Sequence, residues 1–385
     1  MKKFKLGLVG RIIIAMILGA LLGGVLPLKL IRVFITFNGL FSQLLGFIIP
    51  LLIVGLVAPA IADIGKKAGR LLLATVALAY TATIVSGVAS YCTASTIFPS
   101  LITPGALSSN FAGGTEATPF FTIEIAPVMG VMSALILAFI LGLGMAQLNG
   151  GTLHAAFNDF REIIYRTIGK VIIPLLPLFI FGIALNMSYS GQAAAVMTVF
   201  IKIIGIIFLL HIFILLLQYG IAGILTRRNP LTLLFRMLPA YFTALGTQSS
   251  AATIPVTLRQ TISNGVNPNL AGFVIPLCAT IHLSGSTLKI VACAIAIMML
   301  QATPIDPVHM MSFILMLGVV MVAAPGVPGG AIMAALGVLQ SMLGFGEQEQ
   351  ALMIALYITM DNFGTACNVT GDGALALIIN KFHRE

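Results

Sequence analysis

The sequence predicts an all-α polytopic membrane protein with eight transmembrane helices and two re-entrant helical hairpins, and three observations carry that prediction. Hydrophobic residues make up 59% of the 385 and charged residues only 8%, with a mean hydropathy of +1.10, well outside the range of a soluble domain. Up to about Asn229 the chain runs through a series of apolar stretches, each long enough to cross a bilayer as a helix of about 20 residues. Beyond Asn229 the apolar stretches are broken in their middles by Ser, Thr, Gly and Pro, which marks helices interrupted at membrane depth.

The six uninterrupted runs centre near Ile14, Ile48, Thr81, Ala134, Leu175 and Leu209. The first, over residues 6–26, follows Lys2, Lys3 and Lys5 as a signal peptide's apolar core would. It is too long for such a core, and no small-residue cleavage site with a hydrophilic chain follows it, so it reads as the first span. Basic residues alternate between connections: Lys2, Lys3, Lys5 and Arg11 precede the first run, Lys66, Lys67 and Arg70 follow the second, Arg161, Arg166 and Lys170 the fourth, Arg227 and Arg228 the sixth. Residues 99–120 and 188–192 contain no Lys or Arg. The positive-inside rule then places both termini in the cytoplasm, with Lys29 and Arg32 as exceptions at an outer end. The same distribution accounts for the net charge of +9 without a nucleic-acid surface. Cys92, Cys278, Cys293 and Cys367 lack CxxC spacing and sit in apolar surroundings, as packing residues do.

Two small-residue clusters break the second part of the chain. One runs from Gly246 through Thr247, Gln248, Ser249, Ser250, Ala251, Ala252, Thr253 and Ile254 to Pro255; the other is Pro325, Gly326, Val327, Pro328, Gly329 and Gly330. Each is followed by an apolar segment with polar residues inside it, 282–287 in one case and 361–372 in the other. Packing kinks would explain one cluster. A matched pair is the mark of a transport site near the bilayer midplane, where opened backbone and half-helix ends meet the cargo.

In the last span Asp361, Thr365, Asn368 and Asp372 recur at i, i+4, i+7 and i+11, one stripe of a helix, with Gly364 leaving room on the same face. A carboxylate inside a bilayer costs at least about 2.5 to 3.5 kcal/mol, so two of them call for cationic partners or for a buried polar seam between helices. The preceding broken span holds Thr280, His282 and Lys289. His282 reads either as a proton carrier or as a hydrogen-bonded core histidine, and Lys289 either as an intramembrane cation or as a side chain snorkelling to the interface. Ser249, Ser250 and the N–H groups around Ala251 and Ala252 would offer donors to an anion. Donors on one hairpin and a carboxylate on the last helix suit a zwitterion such as an amino acid.

At these residues the chain resembles the dicarboxylate/amino acid:cation symporter family, the sodium:dicarboxylate symporters of the glutamate-transporter fold. The matching motifs are Ser249-Ser250-Ala251-Ala252-Thr253-Ile254-Pro255, Gly326-Val327-Pro328-Gly329-Gly330, and Asp361 with Asn368-Val369-Thr370-Gly371-Asp372. The resemblance implies an elevator-type transporter with inverted repeats, assembled as a homotrimer in the cell membrane. It implies a scaffold of residues 6–62 and 120–190 and a transport unit of residues 70–98 and 195–380, with hairpins at 230–260 and 305–343. It further implies that Ser249, Ser250 and Asn368 bind a substrate α-carboxylate and Asp361 its amino group, with Ala251, Val327, Gly329, Gly364 and Thr365 completing the pocket. Asp372 and Asn368 would help hold one sodium ion, and Thr280 with second-hairpin carbonyls another. No cofactor is implied; sodium is the coupling ion, with protons as the alternative, and the second hairpin is the outer gate.

Departures from the family pattern bear on substrate and coupling. Members that take acidic substrates carry an Arg three residues after the amine-binding Asp, where this chain has Gly364, and some carry one just before the first-hairpin serines, where it has Gln248. Without a guanidinium for a second carboxylate, a neutral amino acid is favoured. The runner-up is an acidic amino acid or dicarboxylate, with Lys289 supplying the charge. The family's Asn-Met-Asp-Gly motif is His282-Leu283-Ser284-Gly285 here, which removes two oxygen donors that a hard cation prefers. His282, Lys289 or both would then replace a bound sodium or admit proton coupling. A channel fits the polar faces but not the paired hairpins. An enzyme finds no support, since HExxH, GxSxG and a phosphate-cradling loop are all missing.

Overall fold

Runs of Leu, Ile, Val and Ala satisfy their backbone internally by coiling, and the computed structural model, which describes residues 8–66, 70–105, 117–148, 151–191, 193–324 and 328–382, has only helices as regular elements among those residues. The six apolar runs appear as α1 (Leu8–Leu22), α2 (Leu28–Lys66), α3 (Arg70–Ile97), α4 (Val131–Gln147), α6 (Ile173–Tyr189) and α7 (Ala193–Thr226). At 39 residues α2 extends for about 58 Å, roughly twice the hydrocarbon thickness, so it must tilt steeply or project from the bilayer.

The connection carrying Arg161 and Arg166 is itself helical. It forms α5 (Thr152–Thr167) and passes through a single π-helical turn, Ile168–Ile172, into α6. Charges fall on one face of α5, and Arg161 reaches Asp63 on α2 at 3.4 Å. Among the described residues, five helical stretches are long and apolar enough to span a membrane: Leu28–Asp63, Arg70–Ser100, Thr152–Tyr189, Thr198–Thr226 and Pro268–Leu300. Shorter apolar helices lie at Gly10–Leu22, Ser133–Gln147, Pro307–Val322 and Gly330–Leu343.

After α7 the helices shorten, because the small-residue clusters interrupt them. The elements are α8 (Pro230–Arg236), α9 (Leu238–Thr247), α10 (Ser250–Ser263), α11 (Pro268–Ile281), α12 (Ser284–Leu300), α13 (Pro307–Val322), α14 (Gly330–Leu343), α15 (Glu347–Thr359) and α16 (Asp361–Phe382). Between α9 and α10 the chain reverses through Gln248, held in the left-handed region at φ 55°, a conformation that costs a non-glycine residue energy and recurs at functional sites. Gly329 enters α14 with φ 73°. Pro325, Gly326 and Val327 lie outside the described residues. Helix α9 packs against α10, and α13 against α14.

The most buried helix is α12, whose residues from Ser284 through Met298 are all sealed from solvent. It is wrapped by α3, α7, α15 and α16. Helices α2 and α4 pack together, as do α1 and α6. The α1–α6 contact depends on Gly19, where a Cβ would stand 2.6 Å from the Phe181 carbonyl oxygen and 2.8 Å from the Ala184 Cβ. Small residues at such points let two backbones approach where lipid gives no hydrophobic drive for association. Gly19→Val is expected to lower the unfolding free energy of the detergent-solubilised protein by about 1–3 kcal/mol, the usual cost of overpacking. Gly24→Ala, at a position with nothing within 4 Å, is expected to leave thermal unfolding unchanged, and an equal loss in both would refute the packing role of Gly19.

Candidate functional site

The site is built where α12 and α16 pass each other. Both helices begin at a break, His282–Leu283 for α12 and Met360 for α16, and their polar residues meet in opposite order. His282 Nδ1 lies 2.8 Å from Asp372 Oδ1. One step on, the Gly285 N–H donates to Asn368 Oδ1 at 2.7 Å, the Ser286 N–H to the same oxygen at 3.4 Å, and Asn368 Nδ2 returns a bond to Ser286 Oγ at 3.0 Å. At the far end Lys289 Nζ donates to Asp361 Oδ1 at 3.1 Å and to the Met360 carbonyl at 3.4 Å. The stripe read from the sequence is thus one side of an antiparallel polar zipper.

Each rung has a steric and electrostatic reason. Lys289 is entirely buried rather than snorkelling, and its partner Asp361 is 3% exposed, so neither charge is screened by water and each depends on the other. The ammonium also lies 3.6 Å from the centre of the Tyr357 ring, a cation–π contact that adds to its stabilisation. It fits because residue 364 is glycine: a Cβ there would stand 2.6 Å from both Lys289 Cε and Nζ. Asp361 opens α16, where the helix dipole favours an anion. Its second oxygen, Oδ2, accepts the Gly329 N–H at 2.8 Å, which ties the last helix to the entrance of α14.

His282 is hydrogen-bonded on both ring nitrogens. An ionised carboxylate only accepts, so Nδ1 carries the proton toward Asp372. Nε2 faces Gln218 Nε2 of α7 at 3.3 Å, and the same amide donates to Ser284 Oγ at 3.3 Å. Also on α7, His211 Nε2 lies 3.1 Å from the Gly285 carbonyl oxygen. Tyr357, in turn, donates to Ser286 Oγ at 2.9 Å. The sequence reading passed over His211, Gln218 and Tyr357. A signal was present for the first two: they stand seven residues apart inside an otherwise apolar span, the spacing of one helix face.

The remaining expected residues lie apart from the zipper's rungs. Ser249 caps α10, its side chain accepting the Ala252 N–H at 3.3 Å, so that N–H already has a partner. Ser250 is buried and Ala251 exposed at the same helix start. Thr365 is buried on the α16 stripe. Thr280 is exposed, its hydroxyl donating to the Leu277 carbonyl at 2.8 Å. Val327 is outside the described residues. On α3 and α12 the hydroxyl oxygens of Thr83, Ser86 and Thr287 are buried without a hydrogen-bond partner, oxygens of the kind an alkali cation accepts.

Interrupted helices packed around buried, paired carboxylates define a secondary membrane transporter. The chain belongs to the sodium:dicarboxylate symporter family, whose model matches residues 8–382, and so to a family of multi-pass membrane transporters rather than enzymes. It is similar to the serine/threonine transporter SstT of Acinetobacter baumannii strain ATCC 17978, at 28% identity over 96% of this chain and 95% of that protein. Against the same transporter of strain SDF the identity is 29% over the same shares. The excitatory amino acid transporter 1 of Bos taurus is 28% identical over 73% of this chain and 54% of its own length.

The buried Lys289–Asp361 pair yields a stability prediction. Asp361→Asn leaves an ammonium without its counter-ion and is expected to destabilise the solubilised protein by about 3–5 kcal/mol. Replacing both residues by Leu removes both charges and is expected to restore more than half of that loss in thermal unfolding. A double variant no more stable than Asp361→Asn would show that the pair is not the source of the effect.

Proposed function

We propose that the protein is a secondary active symporter that imports a small amino acid, a neutral one, with sodium as the coupling ion. The chain would cross the membrane eight times, both termini cytoplasmic, with α9–α10 and α13–α14 as re-entrant hairpins. As in the family it resembles, residues 6–62 and 120–190 would form the scaffold of a homotrimer. Residues 70–98 and 195–380 would form the unit that moves.

One observation carries the reading: Asp361, a carboxylate at a helix start inside the membrane, is bonded to the backbone of the second hairpin at Gly329, while Gly364 beside it offers no guanidinium. In this reading Asp361 receives the substrate amine, Ser249, Ser250, Ala251 and Asn368 face its carboxylate, and Val327, Gly329, Gly364 and Thr365 shape the pocket. The serine/threonine relatives support a neutral cargo.

A second reading, an acidic amino acid or dicarboxylate driven by sodium or protons, is favoured by Lys289. Its ammonium fills the space over Gly364, beside the position where acidic-substrate members carry their arginine.

Uptake of labelled serine into proteoliposomes under an inward sodium gradient separates the two. The neutral reading expects sodium-driven uptake reduced at least tenfold by excess alanine or threonine, little affected by aspartate or succinate, and abolished in Asp361→Asn. Block by aspartate or succinate alone, or drive by a proton gradient alone, would transfer the function to the second reading, and Lys289→Met would then abolish the acidic competition.

A further inference from the structure

Coupling to sodium leaves the number and place of the ions to be assigned, and the following rests on that reading. The resemblance implies one sodium at Asp372 and Asn368, and the residues around those two do not fit it. A hard cation takes oxygen ligands, yet both groups turn an oxygen onto protein N–H donors: Asp372 Oδ1 onto the imidazole of His282 at 2.8 Å, and Asn368 Oδ1 onto the Gly285 N–H at 2.7 Å and the Ser286 N–H at 3.4 Å. Gln218 Oε1 and Thr370 Oγ1 are buried without a hydrogen-bond partner, but the imidazole stands where the family's motif has its first oxygen donor. Position 284 holds a serine, whose hydroxyl already accepts from Gln218. The whole group is sealed, with His282 at 0%, Ser284 at 0%, Asn368 at 2% and Asp372 at 1% exposure.

The imidazole is also locked in place. Nδ1 is held by Asp372 and Nε2 by Gln218, and a Cβ at Gly371 would stand 2.8 Å from His282 Cε1, so the ring is packed against the α16 backbone. A ring held on three sides cannot withdraw to admit an ion without breaking two buried hydrogen bonds, each costly to leave unmade. By contrast, the oxygens of Thr83, Ser86 and Thr287 have no partner at all. Unpartnered oxygens thus lie at Gln218 and Thr370 and on α3 and α12, while the rung's own Asp372 Oδ1 and Asn368 Oδ1 are engaged by protein N–H donors.

We propose that no sodium binds at Asp372 and Asn368 in this protein. His282 is the permanent occupant of that position, tethered to the chain instead of exchanged with solvent. At the other end of the zipper Lys289 is bonded to Asp361 through Oδ1 only, and the second oxygen of that acid is held by a backbone N–H. Any sodium that drives the cycle is then held elsewhere, at Thr280 with the second hairpin or at the unpartnered oxygens of Thr83, Ser86 and Thr287.

The test is binding of radioactive sodium to the purified, detergent-solubilised protein by scintillation proximity, with no organic substrate present, so that its result does not depend on which solute is carried. Wild-type protein sets the reference count of sodium ions per chain. Asp372→Asn, checked for a monodisperse elution profile, is expected to change sodium affinity by less than about twofold. His282→Asn, which replaces the ring by an amide oxygen, is expected to add one sodium per chain. A tenfold or greater loss of affinity or the loss of a sodium ion in Asp372→Asn, or no added sodium in His282→Asn, would each overturn the proposal. Should Asp372→Asn fail to fold, the count on His282→Asn relative to wild type decides the matter. Failure of the symporter reading would show instead as the absence of driven amino-acid uptake, with the sodium count unaffected.

Discussion

The arrangement of the second half of this chain depends on neutralising two carboxylates in a medium that does not solvate them. Asp361 and Asp372 lie eleven residues apart on α16, and each is met by a basic side chain seven residues apart on the segment leading into and along α12. Unpaired, either acid would oppose insertion and packing. Paired, they fix the register of the two segments, because sliding one past the other by a single helical turn would leave both acids and both bases without partners. The direction of pairing is fixed as well: the rungs His282–Asp372, Gly285–Asn368 and Lys289–Asp361 exist only if the two segments run antiparallel. Hydrophobic contacts around them are numerous but tolerant of shift, whereas this pattern is not.

Space for the zipper comes from missing side chains. Gly285 approaches the α16 backbone so closely that a Cβ would stand 2.7 Å from the Gly364 carbonyl oxygen. That approach brings the α12 start within reach of Asn368. At Gly364 the vacated volume is filled by a neighbour's ammonium. A residue absent from one helix is thereby compensated by a residue present on another, and the two must be read together.

Much of this was legible in the sequence, for identifiable reasons. The apolar runs and their breaks follow from composition along a single line of chain, and α1, α2, α3, α4, α6 and α7 arise at the expected centres. The stripe Asp361, Thr365, Asn368, Asp372 is a matter of helical period and lies along α16. What the sequence did not disclose is either tertiary or amphipathic. The connection at Arg161 carries too many charges to resemble a span, yet its charges keep to one face, so it coils as α5. The partner of Lys289 is 72 residues away, and no local pattern distinguishes a lysine bound for an aspartate from one bound for the interface. The break at Met360 has no Gly or Pro to announce it. It places Asp361 at a helix start, where the carboxylate gains from the dipole what an interior position would deny it.

The single bond from the Gly329 N–H to Asp361 Oδ2 makes that carboxylate a junction between two bodies. One oxygen belongs to the α12–α16 pair, the other to the loop leading into α14. Each oxygen can accept more than one hydrogen bond, but a newcomer at either one shares the charge that now holds the lysine and the loop. Asp361 is thereby the one side chain through which a charge placed beside Lys289 is felt at the entrance of α14, with no longer chain of contacts required.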